Sequence, residues 1–390
     1  MKALGGEWIT IDASPVAKFA QIEGANVPPL LYHLSDDPRT VLIAANPRSG
    51  ARSGRPAVER LAAELESERF DVHTVTELAR LGDEACRAHD AGSLRAVVAA
   101  GGDGTVASVA NLVPPDVPLA VFPLGTENLL AKHLGMRASA RRMCRIISDG
   151  TYVRLDAGRA GGRLFLLMLG CGFDAEVVRR LHSQRRGHIQ KLAYAKQILA
   201  TIRNYQYPEI VVRFECAEES TSPTAAGHAV LASAGSTRQS AATSLAAIAE
   251  SDSEMATDAD TAGRAESVVR AKWVFVANLP RYAGGLGIVP DADGADGRLD
   301  VCTFREGSFI TGLYYLGGVL LGRHRLSGDC TTRRVRRVRL ESESPVYYQL
   351  DGDPGGQLPV DVEVLPERVS VLVSRKWAER NAVRRAVAAE

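Results

Sequence analysis

Val97-Val-Ala-Ala-Gly-Gly-Asp-Gly-Thr105 joins a short apolar run, of the length and composition of a buried strand, to a helix-like segment starting at about Thr105. Gly101, Gly102 and Gly104 carry no Cβ, so the backbone between the two can take strained dihedrals and let a bulky ligand approach its N–H groups. Amides at a helix N-terminus favour negative charge. Asp103 in the middle of such a loop calls for a cation between it and the anion, and Mg²⁺ on a polyphosphate is the simplest one. The stretch reads as a nucleotide site.

The same grammar repeats on both sides. Val41–Ala45 is a short apolar strand running into Asn46-Pro47-Arg48-Ser49-Gly50; Pro56–Leu65 has helical spacing, and Phe70–Val75 alternates like a strand. Gly82–Ala91 suits a helix, Ala96–Ala100 a strand and Thr105–Leu112 a helix; Leu119–Phe122 is a further strand, ending in Pro123-Leu-Gly-Thr-Glu-Asn128. Strands alternating with helices imply a parallel sheet with both faces covered. Ligands of such sheets bind at the carboxyl edge, so the turns at 46–50, 101–105 and 123–128 should line one site.

After Thr151 the pattern changes. Strands are expected at Val153–Ala157, Leu164–Leu169, Ile210–Phe214, Trp273–Ala277, Leu299–Phe304, Val335–Leu340, Val346–Leu350, Val360–Val364 and Val369–Val373, with helices at Gln190–Ile202 and Ser308–Gly322. These strands suggest an antiparallel sandwich or split barrel. Residues 217–268, dominated by Ala, Ser, Thr, Asp and Glu, read as a disordered insertion. The chain thus divides into an extension (1–39), a nucleotide-binding α/β domain (40–150), a β-rich substrate domain (151–375) and a tail (376–390). Two domains suit 390 residues.

Composition narrows the class. Hydrophobic residues at 45% and charged residues at 24% are those of a soluble globular protein, and a net charge of +1 argues against a surface built for nucleic acid. The six scattered cysteines form no CxxC pair and read as reduced residues of a cytoplasmic protein. No apolar stretch reaches bilayer length, so any membrane contact is expected to be peripheral. The basic stretch Arg333–Arg339 reads first as a solvated face, and as the alternative a patch that could attract anionic headgroups.

Asn46–Gly50, Gly101–Thr105 and Pro123–Asn128 with Ala131 and Leu134-Gly135 resemble, in order and spacing, the diacylglycerol kinase catalytic domain. Gly170-Cys-Gly-Phe-Asp-Ala-Glu-Val177 is similar to that family's entry into its second domain. The segment from Asn278 to Asp296-Gly-Arg-Leu-Asp300 resembles its metal loop, and Asp351-Gly352-Asp353 its Asp-Gly-Glu element. With the strand pattern, the resemblance gives an α/β fold: an N-terminal three-layer doubly wound parallel sheet followed by an antiparallel β-sandwich domain.

The resemblance implies transfer of phosphate from ATP, with Mg²⁺, to a lipid hydroxyl. Asn46, Pro47, Ser49 and Gly50 would hold nucleotide phosphates, Gly101, Gly102, Asp103, Gly104 and Thr105 the nucleotide and Mg²⁺, and Gly125, Thr126 and Asn128 the nucleotide from the third turn. Thr76, at a strand end, is a further nucleotide-side candidate. Asp353, Asp351 and Asp103 would be the catalytic carboxylates, with Asp353 standing where the family has its proton-accepting glutamate. Asp293, Asp296 and the carbonyl of Arg298 would form a second, structural metal site. The expected partners are the lipid, a membrane surface met peripherally and a second copy of the chain; nucleic acid is not among them.

The chain departs from the family pattern at Ala107 and Ser108, usually Asn-Glu, at Leu129, usually an Mg²⁺-holding aspartate, and at Lys132, usually arginine. Two alternatives stay open on sequence: a NAD kinase-like enzyme, which shares the Gly-Gly-Asp-Gly loop, and a non-catalytic nucleotide- or lipid-binding relative.

Overall fold

A computed structural model describes residues 31–45, 54–183, 201, 203–215, 267–282, 285–320 and 329–381. Asn46, Pro47, Ser49 and Gly50 lie outside the described residues, as does most of the helix expected at 190–202.

Leu94–Gly101 is buried along its whole length, as an unbroken apolar run requires of a central strand covered on both faces. It lies parallel between Thr40–Ala45 and Leu119–Pro123, with Asp71–Val75 beyond Thr40–Ala45. Helices Gly54–Ser67 and Ala140–Asp149 pack together, as do Leu78–Asp90 and Asp103–Leu112. Their apolar stripes (Leu61 and Leu65 on the first, Leu81 and Ala85 on the third) join the strands in one core. Because the strands are parallel, the turns that follow them open at one edge. Arg95 is 2% exposed in this core. It is tolerated there because its guanidinium donates to the carbonyls of Ser35, Ile147 and Ser148, the last two at the C-terminus of Ala140–Asp149.

The chain leaves this region through Thr151–Ala160 and returns antiparallel through Val360–Leu372, paired from Val362 opposite Ala160 to Leu372 opposite Tyr152. One end of the returning strand pairs with Arg337–Glu341, and the other lies parallel to Leu119–Pro123. The first sheet therefore runs through both halves of the molecule. The two strands expected at 360–364 and 369–373 are one, irregular between Leu365 and Val369, where Pro366 lacks a donor and Glu367 takes a φ of 50°.

The second sheet is antiparallel, in the order Cys330–Val335, Leu299–Phe304, Trp273–Ala277, Met168–Gly172, Tyr347–Leu350, Asp353–Gln357. Period-two alternation gives it two faces. Val274 and Val276 enter a core shared with Val212, Phe214, Leu340 and Val362 of the first sheet, which makes the sandwich. Trp273 and Phe275 enter another core with Phe173, Phe304 and Tyr315.

Three sequence boundaries shift for physical reasons. The run Arg333–Leu340 is two strands in different sheets, Cys330–Val335 and Arg337–Glu341, and the change of sheet at Arg336 explains its mixed polarity. Leu164–Leu169 is likewise divided into Arg163–Phe165 and Met168–Gly172. The segment read as 217–268 ends inside Ser267–Ala271, which pairs with Ile210–Phe214. The described ends of the chain are also fastened: Tyr32 and His33 pair with Tyr152 and Thr151, and Trp377 Nε1 donates to the carbonyl of His133 at 2.8 Å.

Candidate active site

Gly102 stands at the N-cap of helix Asp103–Leu112, and its carbonyl accepts from the N–H groups of Thr105 and Val106. A Cβ on Gly101 would fall 2.3 Å from Thr105 Oγ1, and one on Gly125 only 2.4 Å from Gly102 Cα. The turns at 101–105 and 123–128 therefore touch backbone to backbone, an approach that glycine alone permits. Leu124 N–H donates to the carbonyl of Gly101 at 2.9 Å and closes the contact.

Both oxygens of Asp103 accept hydrogen bonds from the backbone. Its Oδ2 accepts from Leu129 N–H at 2.9 Å and its Oδ1 from Leu130 N–H at 3.1 Å. The positive partner of this carboxylate is the N-terminus of helix Leu129–His133. Burial raises its pKa, opposed by those two N–H groups and by the charge of Lys132. Asn128, with a left-handed φ of 49°, closes the turn in the same spirit: Gly125 N–H donates to its Oδ1 at 3.0 Å, and its Nδ2 donates to Gly125 O at 2.8 Å. Thr126 is exposed at the tip of that turn, and Thr76 is exposed beyond the end of Asp71–Val75. Glu127 pairs with Lys132 at 3.4 Å, and Leu129 is buried.

From the other half of the chain comes a hairpin. Leu350 pairs with Asp353, leaving Asp351 and Gly352 as a two-residue loop with φ of 51° and 89°. Both values are positive, the type I′ pattern that an Asp-Gly pair favours. Asp351 is a fastener: its Oδ2 accepts from Leu166 N–H at 2.7 Å, and its Oδ1 from Leu167 and Met168 N–H at 2.8 and 3.0 Å. Those amides are free to point at it because the chain breaks strand pairing there. Burial pushes the Asp351 carboxyl up to about 6 against the pull of the three amides, and the charge of Asp103 adds to the rise.

Gly352 N–H donates to Gln349 Oε1 at 2.6 Å, and Gln349 Nε2 donates to Asp174 Oδ2 at 3.0 Å. Gln349 is fully buried, and burial pushes the Asp174 carboxyl up to about 7, opposed by hydrogen bonds from Gln349 and Tyr282. Both sides of the hairpin tip are thus held. What it presents is Asp353: a Cβ built on Gly104 would lie 3.2 Å from Asp353 Oδ2. The carboxylate from one half of the chain meets the first turn of the glycine-loop helix from the other. Asn111 pins the two halves nearby, accepting from Leu164 N–H at 2.8 Å and donating to Leu164 O at 3.2 Å.

The metal set expected at Asp293, Asp296 and Arg298 is not assembled. Asp296 Oδ1 accepts from Arg298 N–H at 2.9 Å, and its Oδ2 lies 2.8 Å from Arg334 Nη2. Among the described residues no group of three or more His, Cys, Asp and Glu is arranged to hold a metal ion. The loop hangs instead on Asp156, whose carboxylate accepts from Gly297 and Glu367 N–H at 2.7 and 2.8 Å and whose own N–H donates to Gly294 O. Asp156 and Gln349 carry no signal in the sequence, Arg334 is visible there only as part of the basic run 333–339, and Asp174 only as part of the motif Gly170–Val177.

Three arginines of the run Arg333–Arg339 are ion-paired within the protein. Arg337 pairs with Glu363 at 2.9 Å and Glu215 at 3.5 Å, and Arg339 with Glu341 at 2.7 Å and Asp361 at 2.8 Å. Arg334 faces acids as well, and Arg333 lies over the Phe214 ring.

Residues 40–160 match the model of the diacylglycerol kinase catalytic domain, and 168–373 that of the YegS C-terminal NAD kinase beta sandwich-like domain. A diacylglycerol kinase of Bacillus subtilis is 21% identical over 346 residues, 87% of this chain and 97% of that relative. One of Mycobacterium tuberculosis is 25% identical over 351 residues, 86% and 95% of the two chains. The crystal structure of a diacylglycerol kinase from Bacillus anthracis shares the fold, with a TM-score of 0.58 at 20% identity over 87% of this chain and 98% of that one. Both halves of the architecture are matched in order, the second across more than half of the chain, so the protein belongs to the diacylglycerol kinase-type lipid kinases and is a phosphotransferase.

Proposed function

We propose that this kinase uses ATP with Mg²⁺ to phosphorylate the hydroxyl of diacylglycerol or a closely related lipid, taken from a membrane surface that it meets peripherally. The observation that carries the reading is the approach of Asp353 to Gly104 across the two halves of the chain. It places a carboxylate beside the amides that would hold the phosphates, where a lipid hydroxyl can lose its proton as its oxygen bonds to phosphorus.

The backbone of Gly102–Gly104 at the helix N-terminus, with the Gly125–Thr126 turn against it, would hold the triphosphate. Mg²⁺ supplies charge neutralisation on the phosphate oxygens, and Asp103, whose two oxygens each accept one amide bond from Leu129 and Leu130, would stand beside it with lone pairs to spare. Asp353 is one methylene shorter than the glutamate of the family pattern, so its reach depends on where the hairpin is held. Asp351 and Gln349 fix that position. Positioning is the larger part of phosphoryl-transfer catalysis. No helix among the described residues is long and apolar enough to cross a membrane, in keeping with peripheral contact.

The test is incubation with labelled ATP, Mg²⁺ and a panel of lipids plus NAD, beside Asp353→Ala. Label is expected in diacylglycerol or a related lipid, with none in NAD and little from the variant. Label in NAD alone, or an Asp353→Ala enzyme that keeps most of its activity, would overturn the proposal.

A further inference from the structure

We infer that the guanidinium of Arg334 is the resident cation of the loop at 291–300, so that this loop of the second domain is organised by an arginine and needs no divalent ion. The register of the second sheet brings it there: Arg334 on Cys330–Val335 stands opposite Asp300 on Leu299–Phe304, directly after the acidic loop. Its Nη2 lies 2.8 Å from Asp296 Oδ2 and its Nε 3.5 Å from Asp300 Oδ1, so one guanidinium stands as the ion-pair partner of two carboxylates, by charge and not by hydrogen bonding at Asp296 Oδ2. The Asp300 side chain is 6% exposed and that of Asp296 22%, against 51% for Arg334, which reaches in from solvent.

Two nearby carboxylates of like charge, largely removed from water, need a counter-charge. Burial, Asp293 and Asp300 all raise the Asp296 carboxyl, and Arg334 is the leading influence that lowers it. Other fasteners of the loop are the Asp156 carboxylate and the Asn278 amide. Asp156 takes Gly297 N–H, and Asn278 Nδ2 donates to the carbonyls of Asp156 and Leu166 at 2.9 and 2.8 Å. A loop with a fixed covalent cation and these ties is set whatever the divalent ion concentration.

The test is thermal melting of the full chain without nucleotide, in EDTA, in millimolar CaCl₂ and in millimolar MgCl₂. The unaltered protein is expected to melt at one temperature in all three. Arg334→Gln is expected to melt about 2–4 °C lower in EDTA, and calcium is expected to restore part of the loss at the vacated position. The double variant Arg334→Gln/Asp296→Asn should lose less than the sum of the two single changes. An unaltered protein that calcium or magnesium raises by several degrees, with the gain abolished by Asp296→Asn, would overturn the inference. So would strict additivity of the two substitutions. Because melting is read without substrate, failure here is distinct from failure of the lipid kinase reading.

Discussion

The glycine turn at Gly101–Thr105 and the hairpin at Asp351–Asp353 come from opposite halves of the chain, yet each commits one aspartate to the same task. Asp103 gathers the N–H groups of Leu129 and Leu130, and Asp351 those of Leu166, Leu167 and Met168. In both places the carboxylate satisfies amides that no regular structure would satisfy, and so fixes where the next segment starts. Asp353, two residues further on, carries no such hydrogen bond among the described residues and faces Gly104. Two aspartates of one Asp-Gly-Asp motif thus divide the work: one holds the turn and the other is presented by it.

The comparison is broken most directly by Asp353→Asn. Removing the acceptor and leaving the shape should slow lipid phosphorylation by about 10²–10⁴-fold. The denaturation midpoint should stay with that of the unaltered protein. A variant that unfolds early, or one that still works at near-normal rate, would put Asp353 with the scaffold aspartates.

Asp351→Ala should do the reverse. It strands the N–H groups of Leu166, Leu167 and Met168 in a half-buried turn, at a cost on the order of 3 kcal/mol in denaturant-measured stability. Activity should fall as well, because Asp353 loses its fixed position, but the stability loss should appear even in the absence of substrate. An Asp351→Ala protein of unchanged stability would remove the distinction between the two residues.

What was legible in advance follows the same division. The parallel half could be read because Leu94–Gly101 is apolar without a break and stops at glycines, and a buried strand before an anion turn has few other ways to look. That Gly102 and Gly125 would press together was implicit in two glycine turns at one sheet edge. The second half was harder. Cys330–Val335 and Arg337–Glu341 form one arginine-rich run in sequence with Val335 and Val338 out of phase, and only the packing of two sheets decides that it divides at Arg336. The hydrogen-bond partners of Asp103 were hidden for a related reason. An aspartate in an anion loop suggests a metal, whereas the helix that answers it begins at Leu129, far along the chain. Asp156, Asp174 and Gln349 act through partners more than a hundred residues away, which local spacing cannot reveal.

Asp174 ties the hairpin to pH. It props the hairpin from behind, through Gln349 to the Gly352 N–H, and its carboxyl is pushed from 3.8 up to about 7 by burial. The folded state then holds a proton that the unfolded state releases near its ordinary pKa. Stability from this group is full below about pH 4 and is lost as pH rises through 7. Asp351, pushed up to about 6, adds a component of the same sign that ends earlier. Asp174→Asn keeps an oxygen for Gln349 Nε2 and removes the titration. Its unfolding free energy should therefore decline by about 2–3 kcal/mol less than that of the unaltered protein between pH 4.5 and 7.5. Parallel curves in urea melts across that range would show that Asp174 is ionised in the fold at all these pH values.

The smallest effect is expected on the basic strand, where the same question arises for cations: whether a charged motif meets a ligand or only its own neighbours. Arg337 is held by Glu363 and Glu215, and Arg339 by Glu341 and Asp361. Glu363 is also shared with Arg159, so the acids are as densely placed as the arginines. A guanidinium already paired offers little field to a headgroup at a distance, and ions of the solvent screen the remainder. Arg337→Ala and Arg339→Ala should accordingly leave co-sedimentation with phosphatidylserine vesicles unchanged, at low salt as well as at physiological ionic strength. A marked loss of binding in either variant would mean that these pairs open against a membrane. The strand would then belong with Asp353 among groups that the fold presents, and not with Asp103 and Asp351 among those it consumes.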